Sequence, residues 1–134
     1  MKHIEVITRI DVAKYDDLSS AEQQLIDKAR MAASHAYAPY SKFCVGAAIA
    51  LDNGEFITGS NQENVAYPSG MCAERVACYY AHAQYPDAKL QAIAIAARGT
   101  DGNEVAQPIS PCGSCRQALL EYGHSKHHWR FCRI

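Results

Sequence analysis

The chain has 134 residues, 49% of them hydrophobic, and its 13 Lys and Arg against 14 Asp and Glu leave a formal charge of -1. That length and apolar content suit one domain over residues 1–134 with about two-thirds of its unfolded surface buried. The near-neutral charge gives no pull toward a nucleic-acid backbone, and no apolar run is long enough to span a membrane. The opening MKHIEVITRI lacks the continuous apolar core of a signal peptide, so a soluble cytoplasmic protein is expected. In that setting the six cysteines, Cys44, Cys72, Cys78, Cys112, Cys115 and Cys132, point to thiol chemistry instead of disulfides.

In chain order, SSAEQQLIDKARMAASHAYAPYS offers Ser19 and Ser20 as helix caps. It then sets Leu25, Ile26, Ala29, Ala32, Ala33 and Ala36 at helical spacing, with Pro39 as the stop. FCVGAAIALDNGEFITGSN is rich in small and β-branched residues and pivots on Asn53-Gly54, which predicts a β-hairpin of about 45–51 and 55–60. NQENVAYPSGM follows as a loop carrying the turn residues Pro68, Ser69 and Gly70. CAERVACYYAHAQY has helical composition and halts at Pro86, KLQAIAIAARG reads as a strand over about 90–97, and DGNEVAQPISP is a loop. CGSCRQALLEYG is a short helix with Gly123 placed to end it. The order α-β-β-α-β-α implies an α/β fold, a mixed sheet covered by helices on both faces in a three-layer α/β/α sandwich.

Two of these helices open on cysteine: Cys72 on one, Cys112 and Cys115 on the other. A helix N-terminus carries unpaired N–H groups and about half a positive charge, which favours thiolate. If the two strand-to-helix loops lie side by side at one end of the sheet, three thiolates converge. Zn²⁺ accepts three sulfurs in tetrahedral geometry and keeps its remaining position open. Glu74, in the first turn after Cys72, can face that open position without being a ligand, where a carboxylate suits the general acid/base work of hydrolytic deamination. Three thiolates leave the zinc site net negative and its water less acidic than neutral histidines would. The helix N-termini offset part of this, and Arg75 can add more as a donor to thiolate sulfur. Competing readings exist. CGSC opening a helix also fits a redox dithiol, and a closed zinc clip would draw a fourth ligand from Cys44, Cys78 or Cys132. Each of those three otherwise reads as a small buried hydrophobe. Taken alone, Asn61 and Glu63 are loop caps, Phe43 a core residue, Arg75 a surface charge, and His127 and His128 a solvated pair.

C-x-E followed some 40 residues later by P-C-x-x-C is the zinc-deaminase signature, here Cys72-Ala73-Glu74 and Pro111-Cys112-Gly113-Ser114-Cys115. The fuller stretches YSKFCVGAA, NQENVAYPSGMCAER and ISPCGSCRQ resemble the small, homotetrameric cytidine deaminases, from about Leu25 to Leu120. The resemblance implies a cytidine deaminase-like fold and one zinc per chain on Cys72, Cys112 and Cys115. It gives Glu74 the proton shuttle while hydroxide attacks C4 of cytosine, and has Asn61 and Glu63 hydrogen-bond the ribose 3′-OH. Phe43 would pack on the pyrimidine, Tyr67 would reach toward the ribose 5′ side from a neighbouring subunit, and the backbone around Ala73 and Ser110 would read the base edge. The expected activity is hydrolysis of cytidine and 2′-deoxycytidine to uridine and 2′-deoxyuridine in pyrimidine salvage. A homo-oligomer, tetramer or dimer, is expected, with a nucleoside substrate and no polymeric nucleic-acid or membrane partner. The alternatives are a non-catalytic zinc protein of this fold and a deaminase of another cytosine nucleoside of the blasticidin S kind, against which NQEN speaks. Cysteine in place of histidine at position 72, with the neutral charge, disfavours a polynucleotide deaminase. Members of this family usually continue into further strands and a Leu-Leu-Pro-like tail. EYGHSKHHWRFCRI departs from that pattern, so the closing segment is expected to be missing, with 129–134 as a candidate last strand.

Overall fold

The computed structural model describes residues 1–5, 11–105 and 109–122, together with the backbone of 131–132. Helix α1 (Ser20–Ala33) is capped by Ser19, whose hydroxyl accepts from the Glu22 N–H while the Glu22 carboxylate accepts from the Ser19 N–H. Leu25, Ile26, Ala29, Ala32 and Ala33 are buried along it, as their spacing requires. It stops short of Ala36, because the Ser34 hydroxyl and N–H both donate to the Met31 carbonyl, at 2.6 and 3.0 Å, and close the last turn early.

Strands β1 (Phe43–Leu51) and β2 (Phe56–Ser60) form the expected hairpin, with Gly54 at φ +88° in its turn. Strand β3 (Leu90–Gly99) runs antiparallel along the other side of β1. Helix α2 (Ala73–Gln84) links β2 to β3, and α3 (Gly113–Tyr122) follows β3. A short β4 (Phe131–Cys132) pairs parallel to β3, so part of 129–134 does add an edge strand. The sheet order is β2-β1-β3-β4 and the sheet is mixed. Two single turns of 3-10 helix, Tyr15–Asp17 and Tyr67–Ser69, were not legible in the pattern. Gly123, expected to end α3, and His127 and His128 lie outside the described residues.

Alternation along β1 sorts the core into two layers. Ala47, Ile49 and Leu51 pack with Ala77, Cys78 and Ala81 of α2 and Leu119 of α3. Ala48 packs on the opposite face with Leu25, Ile26 and Ala29 of α1. The three-layer expectation holds. Helices α2 and α3 share a face because β2, β3 and β4 are mutually parallel, and crossovers stepping in one direction across a sheet put their helices on one side.

Antiparallel pairing on both sides of β1 brings its start, Phe43, to the same end of the sheet as Ser60 and Gly99, which close β2 and β3. Both helices of the shared face start from loops leaving that end. Helix α2 is seated close: a Cβ at Gly59 would lie 2.5 Å from the Ala77 backbone nitrogen and 2.8 Å from the Ala73 carbonyl oxygen. Gly59→Ala should therefore push out the first turn of α2, lowering stability by about 1–3 kcal/mol and zinc content with it. A urea melt with metal analysis checks this, and an unchanged midpoint would contradict the close seating.

Candidate active site

Cys72 is the N-cap of α2, with extended backbone at φ -70° and ψ 151°; its carbonyl accepts from the Arg75 and Val76 N–H groups, while its sulfur has no capping bond. Cys112 takes the corresponding place before α3. Its carbonyl accepts from the Arg116 N–H at 2.9 Å, and its sulfur accepts from the Cys115 N–H at 3.4 Å. The sulfurs of Cys72, Cys112 and Cys115 all lie within 4.8 Å of one another, with Cys72 and Cys112 at 3.8 Å. A tetrahedral zinc with Zn–S bonds of about 2.3 Å requires S···S separations of about 3.8 Å, so the donor set fits that ion. Among the described residues the group ends at these three, which leaves a tetrahedral ion one open position. This removes the closed-clip reading for Cys44 and Cys78, which are free and buried, whereas the side chain of Cys132 lies outside the described residues. Desolvation pushes the Cys78 thiol up to about 11, as befits a core residue. The redox-dithiol reading fails as well, because a third sulfur completes the group.

The cluster is electrostatically strained without a cation. Burial, then the charge of Glu74, raises the pKa of Cys115 well above the ordinary thiol range. Burial acts the same way on Cys112, but hydrogen bonds from the Cys115 N–H and its neighbours outweigh it and leave this thiol below its usual value. A terminal nitrogen of Arg75 lies 3.8 Å from the Cys72 sulfur, a contact that raises the guanidinium pKa further, while its Nε is buried without a partner. Glu74 is only 6% exposed, and among the described residues no donor reaches its carboxylate. A carboxylate without a hydrogen-bond donor set beside three thiols has no evident use as a structural device.

The Asn61–Glu63 loop is braced on both sides. Gln62 exchanges backbone hydrogen bonds with Met71 at 2.8 and 2.9 Å, and Tyr37 bonds Asn61 and Glu63 on the other side at 2.9 and 2.8 Å. The antiparallel bridge at Gln62 and Met71 sets Asn61 across from Cys72. The Asn61 amide clamps β1, its Oδ1 accepting from the Val45 N–H at 2.7 Å and its Nδ2 donating to the Phe43 carbonyl at 2.9 Å. One N–H and one lone pair of that amide stay unused by these bonds. One Glu63 oxygen accepts from the Tyr40 and Ser41 N–H groups at 2.9 and 3.3 Å. Hydrogen bonds from the Ser41 hydroxyl and the Tyr40 N–H hold this carboxyl below its usual range. Next to these donors Lys42 adopts φ +58°, a left-handed conformation unusual for a residue with a side chain.

Phe43 is 36% exposed at the mouth of β1, not a core residue, and Tyr67 is 90% exposed on the loop before Cys72. Ala73 is fully buried in the first turn of α2, and Ser110 is exposed with its hydroxyl accepting from Arg116 at 3.0 Å. The structure thus gathers the three cysteines, Glu74 and Arg75, and ties Asn61, Glu63 and Phe43 to the same end of the sheet. Sequence reasoning missed the Tyr40 and Ser41 donors, which leave no pattern because they are backbone groups. It also missed Arg116, signalled only by a cation in the first turn of a helix, where the dipole disfavours one.

A family model for the cytidine and deoxycytidylate deaminase zinc-binding region matches residues 19–129. The cytidine deaminase of Halalkalibacterium halodurans is 40% identical over 99 residues, covering 74% of this chain and 70% of that protein. That of Mycobacterium tuberculosis is 43% identical over 98 residues, covering 73% and 68%. The crystal structure of cytidine deaminase from Burkholderia pseudomallei superposes with a TM-score of 0.69 at 36% identity, over 84% of this chain and 83% of that one. Among the described residues no helix is long and apolar enough to cross a membrane.

Metal-free protein should take up one zinc per chain with an affinity that climbs as pH rises, because Cys115, whose pKa burial holds up, must lose its proton to become a ligand. Competition with a chromophoric chelator between about pH 6 and about pH 8 measures the slope. A pH-independent affinity would rule out thiol ligation.

Proposed function

The chain belongs to the zinc-binding cytidine and deoxycytidylate deaminase family, and from that premise we propose that it hydrolyses cytidine and 2′-deoxycytidine to uridine and 2′-deoxyuridine with release of ammonia. The observation that carries this reading is the trio of sulfurs at zinc spacing beside the buried, unpartnered carboxylate of Glu74. Cys72, Cys112 and Cys115 are the residues that would hold the ion. Zinc bound there supplies a Lewis acid that makes water nucleophilic near neutral pH.

The remaining chemistry falls to the chain's own groups. Glu74, free of other donors, takes a proton from the attacking water and returns it to the departing amine. Arg75 offsets thiolate charge through its contact with Cys72. The exposed Phe43 ring offers a face for the pyrimidine, and the backbone at Ala73 and Ser110 reads the base edge. The spare N–H of Asn61 and the second oxygen of Glu63 bind the ribose 3′-OH, both groups already held in place by their backbone partners. Tyr67, almost fully exposed, completes the 5′ side of a neighbouring subunit's site in a homotetramer. Val65 at 84% and Leu120 at 62% exposure are further apolar surface that association would cover. Cys44, Cys72, Cys78, Cys112 and Cys115 are free, which supports a reducing cytoplasmic setting and a role in pyrimidine salvage.

Spectrophotometric assay on cytidine, 2′-deoxycytidine and free cytosine, with zinc measured on the same sample, tests the activity directly. Free cytosine should react about five- to a hundredfold less efficiently, because the groups paired to the ribose are left without a partner. Glu74→Gln should keep its zinc and lose turnover by orders of magnitude; intact turnover would remove the proton-shuttle role. Light scattering after size exclusion should give four chains per particle, and a monomer with full activity would exclude the shared Tyr67 contact.

A further inference from the structure

Arg116 occupies the first turn of α3, the end of a helix where a cation is disfavoured. Its bonds supply a local reason. Nε donates to the Pro111 carbonyl at 2.9 Å, and a terminal nitrogen donates to the Ser110 hydroxyl oxygen at 3.0 Å. The Arg116 N–H adds a bond to the Cys112 carbonyl at 2.9 Å. One residue therefore grips three consecutive positions, 110–112. The first carries backbone proposed to read the base edge, and the last carries a sulfur of the metal cluster. Pro111 between them is buried and has no N–H with which to anchor itself. A guanidinium is a rigid planar fork, so its two bonds set the orientation of the Pro111–Cys112 peptide plane against α3, which a single flexible donor would leave loose.

We propose that Arg116 is a positioning residue for the deamination, holding the base-reading segment and the Cys112 sulfur in one fixed relation. This rests on the deaminase reading above. Arg116 acts through residues 110–112, so its loss should disturb substrate fit and metal retention while the core, built on other residues, stays intact.

The test compares wild type, R116Q and R116K as zinc-loaded, full-length protein. R116Q should keep one zinc per chain and its thermal midpoint, while kcat/KM on cytidine falls about tenfold to a hundredfold, chiefly through KM. Without substrate, its zinc should pass to a chromophoric chelator about tenfold faster. R116K, able to renew one of the two side-chain bonds, should lie between wild type and R116Q in both measurements. Ser110→Ala should cost less than R116Q alone and nothing further when combined with it, since the arginine is their shared link. Wild-type KM and zinc-transfer rate in R116Q would overturn the proposal. A lowered midpoint with KM unchanged would overturn it too, as the mark of a merely structural role. A wild-type protein inert on every cytosine nucleoside would instead sink the deaminase reading, and the zinc-transfer comparison would still decide whether Arg116 fixes the Cys112 segment.

Discussion

Three sulfurs confined within 4.8 Å cannot all ionise unless a cation sits among them, and the rest of the molecule is arranged around meeting that condition. Cys72 and Cys112 are 40 residues apart, so only the fold can bring them to 3.8 Å. It does so through the central position of β1. Because β1 runs against both neighbours, β2 and β3 end at the same edge of the sheet, and the helices that follow start there together. Each start delivers a cysteine into the region where free N–H groups favour anionic sulfur. The close seating of α2 on Gly59 then leaves little freedom in where Cys72 can stand.

The proposed substrate side of the site is fastened to the cysteine cluster by backbone hydrogen bonds. Gln62 pairs with Met71, the residue before Cys72, and the residues flanking Gln62 are the two proposed to hold the ribose. Both spend part of their hydrogen-bonding capacity on the protein, Asn61 on β1 and Glu63 on the Tyr40–Ser41 turn, and keep part of it unspent. Such groups are oriented before a ligand arrives, so little ordering remains to be done on binding.

The elements with a strong period or a stop signal were legible in the sequence: α1 from its alanine stripe, the hairpin from Asn53-Gly54, α2 from its helical composition before Pro86, and α3 from the helical run between Cys112 and Gly123. Boundaries decided by a single hydrogen bond were not. The Ser34 hydroxyl ends α1 before Ala36, although an alanine there continues the apolar spacing. At the site, the cysteines and Glu74 were legible because metal chemistry demands particular residue types at particular spacings. The bracing of β1 by Asn61 was hidden, since an asparagine proposed to bind ribose and one that braces a strand look alike until the backbone around them is known.

Glu74 shows why these features belong together. Glu74 is 6% exposed without a hydrogen-bond donor, and its charge makes it harder for Cys115 to ionise. Without a cation, the carboxylate and the buried thiol disfavour one another's charged forms. A divalent cation draws the thiols to thiolate and cancels two of the three charges so formed, while Arg75 at the Cys72 sulfur and the two helix N-termini offset the remainder. The arrangement is therefore favourable only as a whole, and the ion's binding energy adds to the stability of the chain that holds it.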